Sequence, residues 1–98
     1  MPREREYELL MVLSPALDEA GSTSVVERVH KLISDRGGNL TTQEDWGLKR
    51  LAYPLQDFRE GNYHLARFTI QVGQVRDLEA NLRLRQEVLR HLLTRVEA

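Results

Sequence analysis

The chain has 98 residues, 41% of them hydrophobic, no cysteine, and 14 Lys+Arg against 15 Asp+Glu for a net charge of −1. At that length one domain spanning residues 1–98 is expected, with a core that needs no disulfide or metal staple; the missing cysteine excludes disulfide frameworks, thiol nucleophiles and zinc fingers. Neither the charged start Met1-Pro2-Arg3-Glu4-Arg5-Glu6 nor any later run offers a signal-peptide core or the ~18 apolar residues of a membrane span, so a soluble cytoplasmic protein is expected.

Tyr7-Glu8-Leu9-Leu10-Met11-Val12-Leu13 begins in alternation and ends as a continuous apolar run, the pattern of a central strand covered on both faces, and Ser14-Pro15 stops it. In Ser24-Val25-Val26-Glu27 the serine and glutamate have capping-box spacing. Val25, Val26, Val29, Leu32 and Ile33 recur at helical spacing and Gly37-Gly38 supplies a left-handed exit, which predicts a helix over about Ser22–Arg36. From Leu40 the period returns to two, with Leu40, Thr42, Glu44, Trp46 and Leu48 on one side, then changes phase so that Leu51, Tyr53 and Leu55 share a side. A phase change beside Gly47 marks a β-bulge in one long bent strand. A turn from Pro54 to Gly61 leads to the second strand of the hairpin, Tyr63–Ile70.

Val75, Leu78 and Leu82 define a second amphipathic helix. Its spacing fits one long helix through Leu89, Leu92, Leu93 and Val96; the competing reading breaks near Gln86 and makes Val88–Val96 a strand. With that strand the order is β-α-β-β-α-β, an α+β ferredoxin-like split βαβ arrangement with a four-stranded antiparallel sheet and two helices on one face.

Catalysis finds no support. His30 stands beside the helical apolar stripe, His64 and His91 fall in strand-like segments without a second histidine at metal-ligand spacing, and no glycine loop precedes a helix to cradle phosphate. The adjacent pairs Asp18-Glu19 and Glu44-Asp45 offer no shared substrate, since neighbours on a strand face opposite ways. The cations say more. Twelve of the 14 are arginine; residues 1–48 carry net −4 and residues 49–98 net +3, with Lys49-Arg50 as one cluster and Arg83, Arg85, Arg90 and Arg95, opposed by Glu87, as another. The planar fork of arginine matches phosphate bidentately, which suits an RNA backbone, although a solvated face of ordinary ion pairs has the same composition. The strand Gly61-Asn62-Tyr63-His64-Leu65-Ala66-Arg67-Phe68 lacks the aromatic pattern of a base-stacking single-strand reader, so backbone and shape recognition fits better.

The segment Glu44-Asp45-Trp46-Gly47-Leu48-Lys49-Arg50-Leu51-Ala52-Tyr53-Pro54-Leu55 resembles the signature of the bacterial small-subunit ribosomal protein six family: a glycine, basic residues, then Leu-Ala-Tyr-Pro and an aliphatic residue. Arg5-Glu6-Tyr7-Glu8 is similar to the family's first strand, Gly61 with Tyr63 to its hairpin return, and Leu82-Arg83-Leu84-Arg85-Gln86-Glu87-Val88-Leu89-Arg90 to the exit of its second helix into the last strand. Gln86 and Gln71 depart from the residues many members carry there, respectively an acidic or asparagine-type residue and a proline.

The resemblance implies a ferredoxin-like fold in which the second helix ends near Arg85 and Val88–Val96 is a strand. It implies a structural, non-enzymatic role on the ribosome: binding the central domain of 16S ribosomal RNA together with ribosomal protein eighteen, with no cofactor, small-molecule substrate or membrane. Lys49, Arg50, Arg83, Arg85 and Arg90 become RNA-facing candidates, with Arg5 a further one, while Tyr53 and Pro54 are expected to shape the strand end. For Trp46, burial against the core or hairpin competes with contact to the partner protein. A stand-alone ferredoxin-like regulatory or oligomerisation module, binding a small ligand or a protein, is the alternative class.

Overall fold

The computed structural model describes residues 3–55 and 57–96. The elements run β1 (Glu4–Leu13), α1 (Glu19–Asp35), β2 (Asn39–Leu55), β3 (Phe58–Gln71), a short 3-10 turn (Val72–Gln74), α2 (Val75–Arg83) and β4 (Val88–Arg95). The strands form one antiparallel sheet in the order β2-β3-β1-β4. This is the β-α-β-β-α-β arrangement expected from the sequence.

The alternation in β1 decides which residues make the core. Tyr7, Leu9, Met11 and Leu13 face the helices and pack with Val25, Val29 and Ile33 of α1, Leu78 and Leu82 of α2, Phe68 and Ile70 of β3, and Val88 of β4. The intervening Leu10 and Val12 point to the other, helix-free face, where they oppose Leu65 and Tyr63 on β3 and Leu92 and Arg90 on β4. The apolar run in β1 is therefore continuous because both faces of this central strand are covered.

Helix α1 starts earlier than the capping-box spacing suggested. The Asp18 carboxylate accepts the Gly21 N–H at 2.6 Å as the N-cap, so Ser24 and Glu27 lie inside the helix. At the other end Gly37 takes φ +78°, the left-handed exit read from the glycine pair. The bulge beside Gly47 is present: the β2–β3 register shifts between Asp45 and Gly47, and Gly47 has φ +76°. The expected broad turn from Pro54 to Gly61 is shorter, since β2 runs to Leu55 and β3 already begins at Phe58; Gln56 within it lies outside the described residues.

The single long C-terminal helix favoured by periodicity does not form. Chain 84–87 turns, and β4 then hydrogen-bonds along β1 from Leu13 back to Tyr7, pairing an edge of β1 that a continued helix would leave bare.

Candidate nucleic-acid interface

The sheet register sorts the candidate cations by position. At the end of the sheet where Leu13 opposes Asn62 and Val88, the β2–β3 hairpin continues outward, carrying Lys49 opposite Gly61 and Arg50 opposite Glu60. The α2–β4 turn lies at the same end, held there by the Ser14 N–H donating to the Glu87 carbonyl at 2.9 Å, and it brings Arg83 and Arg85. Arg90 opposes Val12 near the start of β4. Five cations separated by up to 41 positions in sequence thus gather at one end from three parts of the chain. Arg5 does not join them. It opposes Ile70 at the other end of the sheet, seven residues along β1 from Val12, or roughly 23 Å at the usual strand rise.

Ion pairing sets two other arginines apart from these five. Arg36 holds the Asp77 carboxylate at 2.7 Å, and Arg67 holds Glu8 across the β1–β3 pair at 2.9 Å. Among the described residues, no carboxylate lies within ion-pair distance of Lys49, Arg50, Arg85 or Arg90. Arg83 has only a loose contact, 3.9 Å to Glu79 one helical turn back. Local ion pairing therefore leaves this group largely available to an external anion.

The Leu51-Ala52-Tyr53-Pro54 segment has a geometric explanation. The hairpin register jumps from Arg50 opposite Glu60 to Leu55 opposite Phe58, so residues 51–54 of β2 face the single residue Arg59 of β3. The surplus chain arches over the helix-free face and bounds a groove of about 240 Å³ lined by Leu10, Val12, Leu51, Tyr53, Tyr63 and Leu92 among others. Gly61 permits the approach: a β-carbon there would fall on Val12 Cγ1 and in contact with Leu51 Cδ2. Across the groove, Arg90 Nη1 donates to the Tyr53 hydroxyl at 2.9 Å. Tyr53 thus shapes the end of the hairpin, as expected, by tying it to the opposite edge strand. Arg90 joins the cationic end to the apolar groove.

Trp46 is not buried in the core, which removes that one of the two readings its sequence position left open. It sits at the bulge with 41% of its surface exposed. Its indole N–H donates to Glu44 Oε1 at 3.1 Å and the Lys49 ammonium stands 5.8 Å from its ring centroid, within cation–π range. The residue that sequence reasoning passed over is Leu84, at 81% the most exposed large apolar side chain among the described residues. Its signal was present: it falls off the Val75–Leu78–Leu82 stripe and stands between two arginines.

The histidines are held on the helix side of the sheet. His64 Nε2 is 3.9 Å from Asp45 and His91 Nε2 is 3.4 Å from Glu79. Burial, and then the neighbouring His64, push the pKa of His30 below its ordinary value against a smaller opposing effect of Glu27. Among the described residues no group of three or more histidine and carboxylate side chains is arranged to hold a metal.

Comparison with known proteins places these features in context. The profile of the family described as ribosomal protein S6 matches residues 6–95. The small ribosomal subunit protein bS6 of Moorella thermoacetica is 40% identical over 93 residues, covering 95% of each chain. A crystal structure of ribosomal protein S6 from Thermotoga maritima superposes with a TM-score of 0.91 at 30% identity, covering 96% of this chain and 89% of that one. The P2 domain of the chemotaxis kinase CheA, solved in complex with the response regulator CheY, also superposes, with a TM-score of 0.64 over 96% of this chain and 100% of that one; at 9% identity it shares the fold alone.

Proposed function

Because the chain belongs to the ribosomal protein S6 family of the small ribosomal subunit, we propose that it binds the central domain of 16S ribosomal RNA together with ribosomal protein eighteen. The family is structural and non-enzymatic. In this reading Lys49, Arg50, Arg83, Arg85 and Arg90 neutralise backbone phosphates, and the groove beneath the 51–54 arch, together with the exposed Trp46 at the bulge, meets the partner protein. Arg5, at the opposite end of the sheet, stays outside the contact.

The observation that carries the proposal is the convergence of five cations, four of them without a carboxylate in ion-pair range among the described residues, on the end of the sheet that also holds the apolar groove. Phosphate contacts supply affinity and orientation, while an apolar groove suits a protein surface. Arg90 belongs to both through its bond to Tyr53. The two bindings are therefore expected to reinforce one another.

The test is equilibrium binding of the purified protein to a central-domain 16S rRNA fragment, with and without ribosomal protein eighteen. Affinity should rise when the partner is present and fall as salt is raised. Affinity indifferent to both would overturn the proposal and favour a stand-alone ferredoxin-like module.

A further inference from the structure

The α2–β4 turn carries an apolar side chain that the fold does not use. Leu84 follows the last residue of α2 and is 81% exposed, whereas Leu78 and Leu82 on the same helix are fully buried. Arg83 and Arg85 flank it. Beside it lies a shallow hollow of about 460 Å³ lined by Ser14, Leu17, Leu84, Gln86 and Glu87.

We infer that this hollow seats an unpaired nucleotide of the bound RNA, with the face of its base against Leu84. The inference rests on the RNA-binding reading above and adds a site to it. Three physical points support it. The flanking arginines favour an anionic surface over a neutral or cationic one, and on the RNA-binding reading that surface carries phosphates. On such a surface phosphates offer Leu84 nothing, and a regular A-form helix buries its base faces; an extruded base presents a broad apolar face that a leucine can cover. Gln86 and Glu87 complete the hollow with an amide and a carboxylate. The carboxylate repels phosphate but accepts from the amino or imino hydrogens of a base.

The turn is also fixed in advance. The N–H groups of Leu84 and Arg85 donate to the Asn81 and Leu82 carbonyls at 3.2 and 3.1 Å, Val88 N–H donates to Arg85 O at 3.2 Å, and Ser14 N–H donates to Glu87 O at 2.9 Å. Leu84 is thus presented on ordered backbone, which limits the entropy lost on contact.

The experiment compares Leu84→Ala with the double variant Arg83→Ala/Arg85→Ala. Both are measured for affinity to a central-domain 16S rRNA fragment across salt concentrations, with chemical probing of the unpaired bases. Leu84→Ala should lose about tenfold in affinity, the order expected from uncovering one leucine side chain. Its salt dependence should stay unchanged and protection should be lost at one unpaired base. The double variant should instead flatten the salt dependence. Unchanged affinity of Leu84→Ala beside a weakened double variant overturns the nucleotide site and leaves the RNA-binding reading intact. Loss of binding to ribosomal protein eighteen in the absence of RNA assigns Leu84 to the protein partner and overturns the site equally. If neither variant weakens RNA binding, the turn does not face RNA: the nucleotide site falls, and so does the assignment of Arg83 and Arg85 to phosphate, while the hairpin cations are judged by the salt and partner dependence above. Because Leu84 is exposed, its truncation leaves the fold standing, which circular dichroism checks.

Discussion

Removing cations from the two ends of the sheet should affect RNA binding very unequally. If all five residues at the hairpin end neutralise phosphates, and each contact releases about 0.8 of a counterion, log K falls against log salt with a slope of about −4. Raising salt from 50 to 200 mM, a fourfold change, then costs ~250-fold in affinity. Arg83→Ala/Arg85→Ala leaves three contacts and a slope of about −2.4, so the same salt step costs only ~30-fold. Arg5→Ala should leave the slope where it was, since Arg5 opposes Ile70 at the far end of β1. Fluorescence anisotropy with an end-labelled central-domain rRNA fragment, titrated at several salt concentrations with ribosomal protein eighteen present, reads both quantities. Equal changes of slope in Arg5→Ala and in the double variant would refute the reasoning, because position along the sheet would then carry no information about contact.

Other expectations concern the parts that hold this end in shape. Gly61→Ala should destabilise by ~1–3 kcal/mol in urea denaturation, since the new methyl meets Val12 and Leu51 in a packed interface; a neutral result would show that the arch yields freely. Asp18→Ala should cost about 1 kcal/mol by removing the cap of α1, whereas Ser24→Ala, inside the helix, should stay within about 0.5 kcal/mol. The folded-state pKa of His30 is lowered from 6.5, so below that pH the unfolded chain binds the extra proton and stability falls as pH falls. The contribution cannot exceed about 1.4 kcal/mol per pH unit; denaturation of wild type and His30→Gln between pH 5 and 7 reads it, and parallel curves would contradict it. Trp46 emission should change when ribosomal protein eighteen is added, and an unchanged spectrum would remove this residue from the partner surface.

What the sequence disclosed depended on how far each physical signal reaches along the chain. The β1 run, the α1 stripe and the bulge beside Gly47 are local patterns, and each formed near its expected place. The end of α2 was ambiguous because Leu82, Leu89, Leu93 and Val96 fit a helix as well as a strand. What decides it is the unpaired edge of β1, a partner some eighty residues away that periodicity does not register. Helix α1 starts before the Ser24–Glu27 spacing because the Asp18 carboxylate caps the chain six residues earlier. For the site, the two cationic clusters were visible, but their convergence was not: the hairpin and the α2–β4 turn meet only through the register with β1. Arg5, set apart from the other candidates already in the sequence, lies at the opposite end of the sheet. Leu84 escaped notice because an exposed leucine is unremarkable by itself; its meaning comes from the arginines beside it and the hollow it borders.

The same geometry explains why a net charge of −1 does not argue against RNA. At physiological salt the Debye length is about 8 Å. Carboxylates near Arg5 lie roughly 23 Å along β1 from Val12, close to three screening lengths, and contribute little to the potential at the hairpin end. Two carboxylates elsewhere are already committed, Glu8 to Arg67 and Asp77 to Arg36. The balance that a phosphate meets is the local one, set by Lys49, Arg50, Arg83, Arg85 and Arg90 with Glu60, Glu79 and Glu87 near them. That local excess is modest, which keeps the chain from adhering to any polyanion it encounters. Selective binding must then draw on something besides charge, and the Arg90–Tyr53 bond links the cations to the apolar groove. A partner filling that groove would hold Arg90 and the hairpin in one arrangement before RNA arrives. The ordering entropy would be spent in the first binding step, and the second would be correspondingly tighter.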